Sequence, residues 1–416
     1  MCIRDRPNVI FAVPYALDTT VRFVRGAASL PGVRLGILSQ EPLERLPEDL
    51  RRGASAYERL KDALDAGQIA EGVRAIARRW GGEVDALVGI LEQMQEPLAE
   101  VRERLGIPGM DVETARNFRD KARMKDLLRA SDLPCARHAL AESAQAALTF
   151  AEDCGYPLVV KPPAGAGAVN TCRVDSREQL EGYLRTLPPR AGAPVLLEEF
   201  ITGQEFSFDS VSVDGRHVFH SITRYFPTPL EVMENPFLQW AVMLPRRIDG
   251  PEYEPIRDAG PRVLDVLGMR TGLTHMEWFR RADGSIAISE VAARPPGAQF
   301  TTLLSYAHDR DFYRAWGQLV STGTFDVPER RFAAGAVFLR GQGSGRVVGV
   351  HGVEEAQREL AELVVEARLP RVGQPRASSY EGEGYVILRH PETEKVEAGL
   401  RRLVGLLRVE LGQETP

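Results

Sequence analysis

The segment THMEWFRRADGSIAISEVAARPPG, residues 274–297, decides how this chain is interpreted. Two β-prone runs flank Asp283-Gly284, and an Asp-Gly pair in that setting strongly favours a β-hairpin. A two-residue turn would place Glu277 and Glu290 directly opposite each other on neighbouring strands. The second strand then runs into Pro295-Pro296-Gly297, where regular structure cannot continue. The segment therefore predicts a hairpin that presents two carboxylates beside a rigid turn.

Two opposed carboxylates repel each other, because their β-carbons lie roughly 5 Å apart. Mg²⁺ or Mn²⁺ prefers oxygen ligands and would turn this repulsion into a binding site. Phe279, Ile286 and Ile288 are expected on the same face, which indicates burial near the turn. The alternative is that both acids face solvent, or that a longer loop shifts the register. We predict that Glu277 and Glu290 bind a divalent metal ion, and that Glu290→Gln slightly stabilises the metal-free protein.

The composition is that of an ordinary globular protein, with 416 residues, 44% hydrophobic and 26% charged. This length allows two to four domains with substantial cores. The net charge of −6 offers no general attraction to nucleic acid or to an anionic membrane. No membrane-spanning apolar run and no secretory signal are visible, and the opening MCIRDR carries no pattern. We expect a cytoplasmic protein without a nucleic-acid or membrane partner, and homodimer formation stays open.

The cysteines and histidines show no metal-ligand spacing. Neither a CxxC nor an HxxxH pattern occurs among the four cysteines, Cys2, Cys135, Cys154 and Cys172, and the seven histidines. We therefore expect reduced thiols and no zinc site.

The order of predicted elements indicates an α/β and α+β multidomain chain. Strands alternate with helices up to residue 105, which predicts a doubly wound parallel sheet, and no GxGxxG fingerprint occurs there. Helix-rich sequence is expected at 55–80 and an irregular insertion at 226–250. The predicted parts are an N-terminal α/β domain (7–110), a helical connection (111–135), a lid subdomain (136–202), an antiparallel-sheet core with the acidic hairpin (203–330) and a small C-terminal α+β domain (331–416).

A glycine-rich segment, GYPLVVKPPAGAGAV (155–169), follows a buried strand that ends at Lys161. Gly165 and Gly167 would let backbone amides approach phosphate oxygens, and the lysine would supply charge. This is not a Walker A motif. A flexible surface loop after a strand would have the same composition.

Two further segments could contact a nucleotide. Lys121 and Lys125 lie four residues apart on one predicted helix face, although a solvated basic face is the usual explanation for such a pair. The strand of VLLEEFITGQEFSF (195–208) could pair an adenine edge through its backbone, with Glu205 on the ribose. An edge strand protected by charged residues would look similar.

Taken in order, these segments resemble the ATP-grasp superfamily, and the C-terminal part is similar to the bacterial L-amino-acid ligase branch. The matching features are DK…K near residue 121, GYPLVVKPPAGAG, LLEEFITGQEFSF and Glu277 with EVAARPPG. The resemblance covers roughly residues 8–330. It implies the ATP-grasp fold, with ATP and Mg²⁺ (or Mn²⁺) as cofactors.

The resemblance also implies roles for individual residues. It assigns ATP phosphates to Lys121, Lys161 and the glycine-rich loop, and magnesium to Glu277 and Glu290. Arg294 would contact the transferred phosphoryl group or the substrate carboxylate, as a bidentate guanidinium at a proline-fixed turn. The residues implied around adenine and ribose are Glu198 at the adenine amino group, Glu199 and Ile201 through their backbone, and Glu205 at the ribose.

One position departs from the family pattern. Many members carry an asparagine metal ligand two residues after the second glutamate, where this chain has Ala292. This leaves open whether one or two metal ions bind. Glu92, which follows a strand of the parallel sheet, and Glu234, in the insertion, are candidate substrate contacts, and either could equally be a surface acid.

The implied activity is ATP-dependent ligation of a carboxylate to an amine, through an acylphosphate, with release of ADP and phosphate. Amino acids are the expected substrates. Two alternatives stay open. One is another ATP-grasp enzyme, acting on a nucleotide precursor or as a biotin-dependent carboxylase. The other is a non-catalytic ATP-binding regulator.

Overall fold

The structure is a computed structural model that describes residues 6–163, 171–235 and 238–413. Its first part is a parallel sheet with strand order β3-β2-β1-β4. Val9, Phe11 and Val13 face helix α1, whereas Ile10 and Ala12 face α3 and α4. The elements are β1 (Asn8–Val13), α1 (Asp18–Ala28), β2 (Arg34–Ser39), α2 (Glu48–Gly53), β3 (Ala56–Arg59), α3 (Ala66–Trp80), β4 (Ala86–Val88) and α4 (Gln95–Leu105). Helices on both faces confirm the doubly wound parallel sheet, but strand β3 lies where helix was expected.

Two helices lead into a four-stranded antiparallel sheet with strand order β5-β8-β6-β7. Helices α7 and α8 cover one face of this sheet with a separate apolar cluster. The elements are α5 (Val112–Arg119), α6 (Lys121–Ala130), β5 (His138–Ala141), α7 (Ala144–Cys154), β6 (Leu158–Lys161), β7 (Cys172–Val174), α8 (Arg177–Thr186) and β8 (Val195–Glu199).

An eight-stranded antiparallel sheet forms the centre of the molecule, in the order β13-β12-β9-β10-β11-β14-β18-β17. Its elements up to residue 322 are β9 (Gln204–Val213), β10 (Arg216–Phe226), α9 (Pro229–Glu234), β11 (Trp240–Leu244), α10 (Glu254–Leu267), β12 (Gly272–Arg280), β13 (Ile286–Ala292), α11 (Phe300–His308) and α12 (Phe312–Thr322). The insertion at 226–250 is therefore not irregular throughout, since it supplies α9 and the fully buried β11.

The C-terminal part extends the same sheet. Its elements are β14 (Ala333–Leu339), β15 (Gly341–Gln342), β16 (Arg346–His351), α13 (Val353–Leu360), β17 (Val364–Arg368), β18 (Gly384–His390), α14 (Thr393–Leu406) and β19 (Arg408–Gly412). Strands β14, β18 and β17 continue the central sheet beyond β11, while β15, β19 and β16 form a small separate sheet. The predicted boundary at residue 330 therefore does not divide the sheet, and the five-part division of the chain stays a prediction.

The acidic hairpin reaches the expected pairing by an unexpected route. The Arg281 N–H donates to the Ser285 carbonyl at 2.8 Å, so the turn contains three residues rather than two. An extra residue, Ser289, then bulges from β13 and restores the register, so that Glu277 pairs with Glu290. The predicted two-residue turn was wrong, because Gly284 with its φ of 83° closes a three-residue loop.

The bulge also decides which side chains share a face with the acids. Ile286 and Ile288 are buried with Trp278 in the core beneath the sheet, on the side away from Glu277. Their predicted position beside the acids was therefore wrong. Phe279 does lie on the acidic face. None of the helices in the described part of the chain is both long and apolar enough to cross a membrane.

Candidate active site

A cavity of about 480 Å³ lies between the four-stranded antiparallel sheet, which contains β6 and β8, and the central eight-stranded sheet. Strands β6 and β8 supply one wall, and β9, β10, β12 and β13 supply the other. Lys121 from α6 and the turn that follows β13 close one side. The predicted residues that line it are Lys121, Lys161, Glu198, Glu199, Ile201, Glu205, Glu277, Glu290 and Arg294. Residues more than 170 positions apart in the sequence thus meet around one space.

Glu198 lies between two buried lysines. Its Oε2 is 2.9 Å from Lys161 Nζ and its Oε1 is 3.1 Å from Lys125 Nζ. Burial raises the pKa of Glu198, but the two lysines outweigh burial and hold the pKa below its usual value. Burial alone would lower the pKa of Lys161, but the negative charges of Glu198 and Glu290 outweigh burial and raise the pKa above its usual value. Lys161 therefore stays charged, while both oxygens of Glu198 are engaged by lysines rather than aimed at an adenine position.

Lys125 was considered from the sequence, together with Lys121, as a possible nucleotide contact, but no role was assigned to it. The alternative of a solvated basic face is wrong, because Lys125 is 0% exposed and Lys121 is 6% exposed. Lys125 also donates a hydrogen bond to the carbonyl oxygen of Ser289, the bulge residue. It thereby ties helix α6 to both walls of the cavity. The spacing of the two lysines was visible in the sequence, but their burial was not.

Lys121 forms an ion pair with one of the two opposed acids. Its Nζ lies 2.8 Å from Oε1 of Glu290. Burial raises the pKa of Glu290, but Lys121 and Lys161 outweigh burial and hold the pKa well below its usual range. A cation is therefore already present beside the Glu277–Glu290 pair. The stabilisation expected for Glu290→Gln assumed that the repulsion between the two acids was unrelieved, and the ion pair with Lys121 removes that premise.

His275 is a second residue that the sequence did not single out. Its Nδ1 lies 2.6 Å from Oδ1 of Asp209, and its Nε2 lies 3.6 Å from Oε1 of Glu277. Burial lowers the pKa of His275, but the two acids outweigh burial and raise the pKa to about 9. The charged ring of His275 therefore lies against Glu277 and orients its carboxylate on β12. Burial and the neighbouring Glu277 also raise the pKa of Glu205 well above its usual value.

Arg294 follows the end of β13, and its side chain contacts the N-terminal domain. Its Nε lies 2.6 Å from Oε2 of Glu92, whose other oxygen is 3.5 Å from Arg119 Nη1. Glu92 is buried, so it is not a surface acid, and it reaches the cavity only through Arg294. Just after the proline turn, Ala298 and Gln299 have positive φ values of 47° and 60°. Such backbone strain in residues other than glycine concentrates at functional sites.

The remaining predicted residues divide into three groups. The Glu199 carboxylate accepts from the backbone N–H of Arg137 at 3.2 Å, and the Glu199 N–H donates to the Arg137 carbonyl at 2.8 Å, while Glu199 and Ile201 both line the cavity. Glu234 is exposed at the end of α9 and does not line the cavity. Gly165 and Gly167 lie outside the described residues.

A wall of aromatic side chains also escaped the sequence analysis. Tyr225, Trp240, Phe300 and Tyr380 surround the end of the cavity nearest Arg294. They come from β10, β11, α11 and the loop before β18, so no local motif links them. Glu231, an exposed residue in the first turn of α9, also lines this cavity.

The carboxylates fit a magnesium ion that is shared with a phosphate ligand. Within the described residues no cluster of three or more His, Cys, Asp or Glu side chains could hold a metal by itself. Mg²⁺ is usually bound by one or two protein carboxylates together with substrate phosphates and water. Glu277 and Glu290 supply that number of ligands, with two lysines nearby for the phosphates.

Residues 154–303 match the family model of the ATP-grasp domain. The chain therefore contains an ATP-grasp domain, and the resemblance inferred from its motifs is confirmed. The expected ATP-grasp fold is confirmed as well, because solved structures of this class superpose on nearly the whole chain. An L-amino acid ligase from Bacillus licheniformis gives a TM-score of 0.79 over 99% of this chain and 100% of that chain, at 21% identity.

Two more known proteins are similar to this chain. An L-arginine-specific L-amino acid ligase from Bacillus subtilis is 26% identical over 228 residues, 54% of each protein. The chain thus spans about half the length of the curated relatives it matches. A carboxyaminoimidazole ribonucleotide synthase from Aspergillus clavatus, solved with ATP, gives a TM-score of 0.70 at 15% identity over 97% of this chain and 98% of that chain.

Proposed function

We propose that this protein is an ATP-dependent carboxylate–amine ligase that joins amino acids through an acylphosphate. One observation carries the proposal. A single cavity contains two lysines, two opposed carboxylates and a partly buried arginine, which are the charges that phosphoryl transfer from ATP requires. The similarity to an L-arginine-specific L-amino acid ligase supports amino acids as the substrate class.

The reaction has two steps. A carboxylate oxygen of the acid substrate attacks the γ-phosphorus of ATP, the β–γ bridging bond breaks, and ADP leaves. The amine nitrogen of the second substrate then attacks the acyl carbon. The acyl carbon–oxygen bond breaks, phosphate leaves with the former carboxylate oxygen, and the amine loses a proton. The protein forms no covalent bond, so alignment and charge stabilisation provide the acceleration.

The cationic side chains act on the phosphate oxygens. Lys161 and Lys121 line the cavity beside Glu198 and Glu290 and would also contact phosphate oxygens. Arg294 would stabilise charge on the transferred group from the proline turn, where Glu92 holds its Nε at 2.6 Å. When bound at Glu277 and Glu290, Mg²⁺ would neutralise charge on the phosphates and polarise them.

The nucleotide base would lie beside the end of β8. Glu199 and Ile201 line the cavity there and would contact adenine through backbone groups, and Glu205 would contact the ribose. Gly203 allows this arrangement, because a Cβ at that position would lie 2.3 Å from the carbonyl oxygen of Arg280. Glu198 would hold Lys125 and Lys161 in place rather than contact adenine. Gly165 and Gly167 remain candidate phosphate contacts.

One alternative has an observation in its favour. The similarity to the Aspergillus clavatus synthase extends over nearly the whole chain, so a nucleotide precursor could be the substrate. The biotin-carboxylase and regulator alternatives have no comparable support. The charges of Lys121, Lys161 and Glu290, of which the two lysines are buried, speak against a regulator, which has no need of a phosphoryl-transfer site.

The experiment is a phosphate-release screen with ATP, Mg²⁺ and all pairs of amino acids, in which product masses are measured. We expect ADP, phosphate and a dipeptide mass from at least one pair, and no release from Arg294→Met. Lys395→Met, in the exposed last helix, is the matched control and should behave as wild type. Release of AMP would contradict the acylphosphate step. Activity with an aminoimidazole nucleotide and none with amino acids would favour the alternative.

A further inference from the structure

The loop of residues 377–383, called the 377–383 loop below, is fixed firmly before strand β18. Glu383 is 5% exposed, and its two carboxylate oxygens accept hydrogen bonds at 2.7 Å from the backbone N–H groups of Gly341 and Ala377. Gly382 has a φ of 62°, and a Cβ there would lie 2.3 Å from the carbonyl oxygen that ends β14. Only glycine can pass this point, so the loop is held against the central sheet.

The loop reaches the strained turn that follows Arg294. The Glu381 carboxylate lies beside this turn, since a Cβ at Gly297 would lie 4.0 Å from its Oε1, and the backbone of Ala298 lowers its pKa against the effect of burial. Ala298 is the first of the two residues with positive φ. A partly buried carboxylate from the C-terminal part of the chain thus lies against the turn that carries the cavity's arginine.

Tyr380 lies at the tip of this loop, inside the cavity. Its ring packs edge-on against Trp240, with ring centroids 4.6 Å apart and an interplanar angle of 71°. The same wall of the cavity contains Arg294, Glu277 and Glu290. No described residue shares a hydrogen bond with the Tyr380 hydroxyl, and because the side chain is only partly buried, a ligand in the cavity can reach it. The hydroxyl is therefore held beside the reacting charges with its donor available.

We propose that Tyr380 is a substrate-contacting residue whose hydroxyl donates a hydrogen bond to the carboxylate of the acid substrate, beside Arg294. Two donors on one carboxylate fix the oxygen that must face the γ-phosphorus. The nucleotide lies elsewhere, since Lys161, Glu199 and Ile201 belong to the far wall. This inference rests on the proposed ligase function and adds that the C-terminal part of the chain completes its active site.

The test compares Tyr380→Phe, which removes only the hydroxyl, with wild type. We expect kcat/KM for the acid substrate to fall about tenfold, which corresponds to one lost hydrogen bond, while the affinity for ATP is unchanged. Tyr57→Phe is the matched control, because that hydroxyl donates to the Glu41 carbonyl far from the cavity and its loss should leave both constants unchanged. Unchanged kinetics in Tyr380→Phe would overturn the inference.

A structural measurement decides the inference independently of turnover. In crystals grown with ADP, vanadate and acetate, acetate serves as the minimal carboxylate. We expect the Tyr380 hydroxyl within about 3.2 Å of an acetate oxygen. A separation beyond about 4 Å refutes the contact, even if the enzyme proves to be a ligase. Absence of amino-acid-dependent phosphate release in wild type, with the contact present, would refute only the proposed substrates.

Discussion

Lys125 offers the sharpest test of how the site is held together, through the substitution Lys125→Met. Methionine keeps most of the buried stem but removes the charge that lies 3.1 Å from Glu198 and the hydrogen bond to Ser289. At this distance, an effective dielectric constant of about 20 gives a gross attraction of about 5 kcal/mol. Removing one member of a buried ion pair costs about 3–5 kcal/mol in measured cases.

The structure places the expected loss at the lower end of that range. Lys161 lies 2.9 Å from the other oxygen of Glu198 and continues to compensate its charge. We therefore expect Lys125→Met to lower the free energy of unfolding by about 3 kcal/mol. Lys395→Met removes an exposed lysine, 54% exposed and 2.9 Å from Glu392, and should cost less than about 1 kcal/mol.

The assay is urea unfolding followed by tryptophan fluorescence. Trp278 is fully buried in the same core as Met124 and Leu128 of helix α6, so it reports on the region around Lys125. A double-mutant cycle with Glu198→Gln isolates the energy of the pair from other effects. A loss in Lys125→Met no larger than in Lys395→Met, or a cycle without coupling, would refute the claim that this pair organises the site.

Of three further predictions, two concern charged residues of the cavity and one concerns the buried His308. Lys161→Ala should weaken ATP binding by about tenfold to a hundredfold while the protein stays folded, as measured by calorimetry against Lys395→Ala. Glu290→Gln should abolish magnesium-dependent phosphate release and also lower the metal-free stability by about 1–3 kcal/mol, because it breaks the ion pair with Lys121; a more stable variant in thermal melts would contradict this. Burial lowers the pKa of His308 from 6.5 to about 3, so its stabilising effect is complete above pH 6.5 and falls as the pH drops toward 3. Wild type should then lose about 2 kcal/mol through this residue between pH 8 and pH 5, and His308→Gln should flatten the urea-unfolding profile by that amount.

The acidic hairpin shows what local sequence could and could not predict. The pairing of Glu277 with Glu290 was predicted correctly, although the turn was predicted with one residue too few. The bulge at Ser289 compensated for the longer turn, and a bulge leaves no strong local signal. The sequence prediction assumed regular alternation through β13 and therefore placed Ile286 and Ile288 on the wrong face. A one-residue bulge moves every side chain beyond it to the opposite face of the sheet.

Burial and distant contacts account for the rest of the difference. Lys121 and Lys125 were visible as a pair four residues apart, but only packing against β8 and β13 shows that they are buried. Tyr380 follows the acidic hairpin by about ninety residues and carries no motif. It reaches the cavity because β14 and β18 extend the central sheet, which is a property of the tertiary fold. Motif order therefore indicated the fold, while the inner contacts of the site required coordinates.

Transfer of an isotope from the acid substrate to phosphate tests the proposed mechanism most directly. The enzyme is incubated with ATP, Mg²⁺ and an amino acid whose carboxylate is labelled with ¹⁸O, together with an amine found in the screen. Attack by the carboxylate on the γ-phosphorus predicts that the released phosphate contains one ¹⁸O atom and that the nucleotide product is ADP. Unlabelled phosphate, or a label recovered in AMP, would contradict the acylphosphate intermediate and with it the role assigned to this cavity.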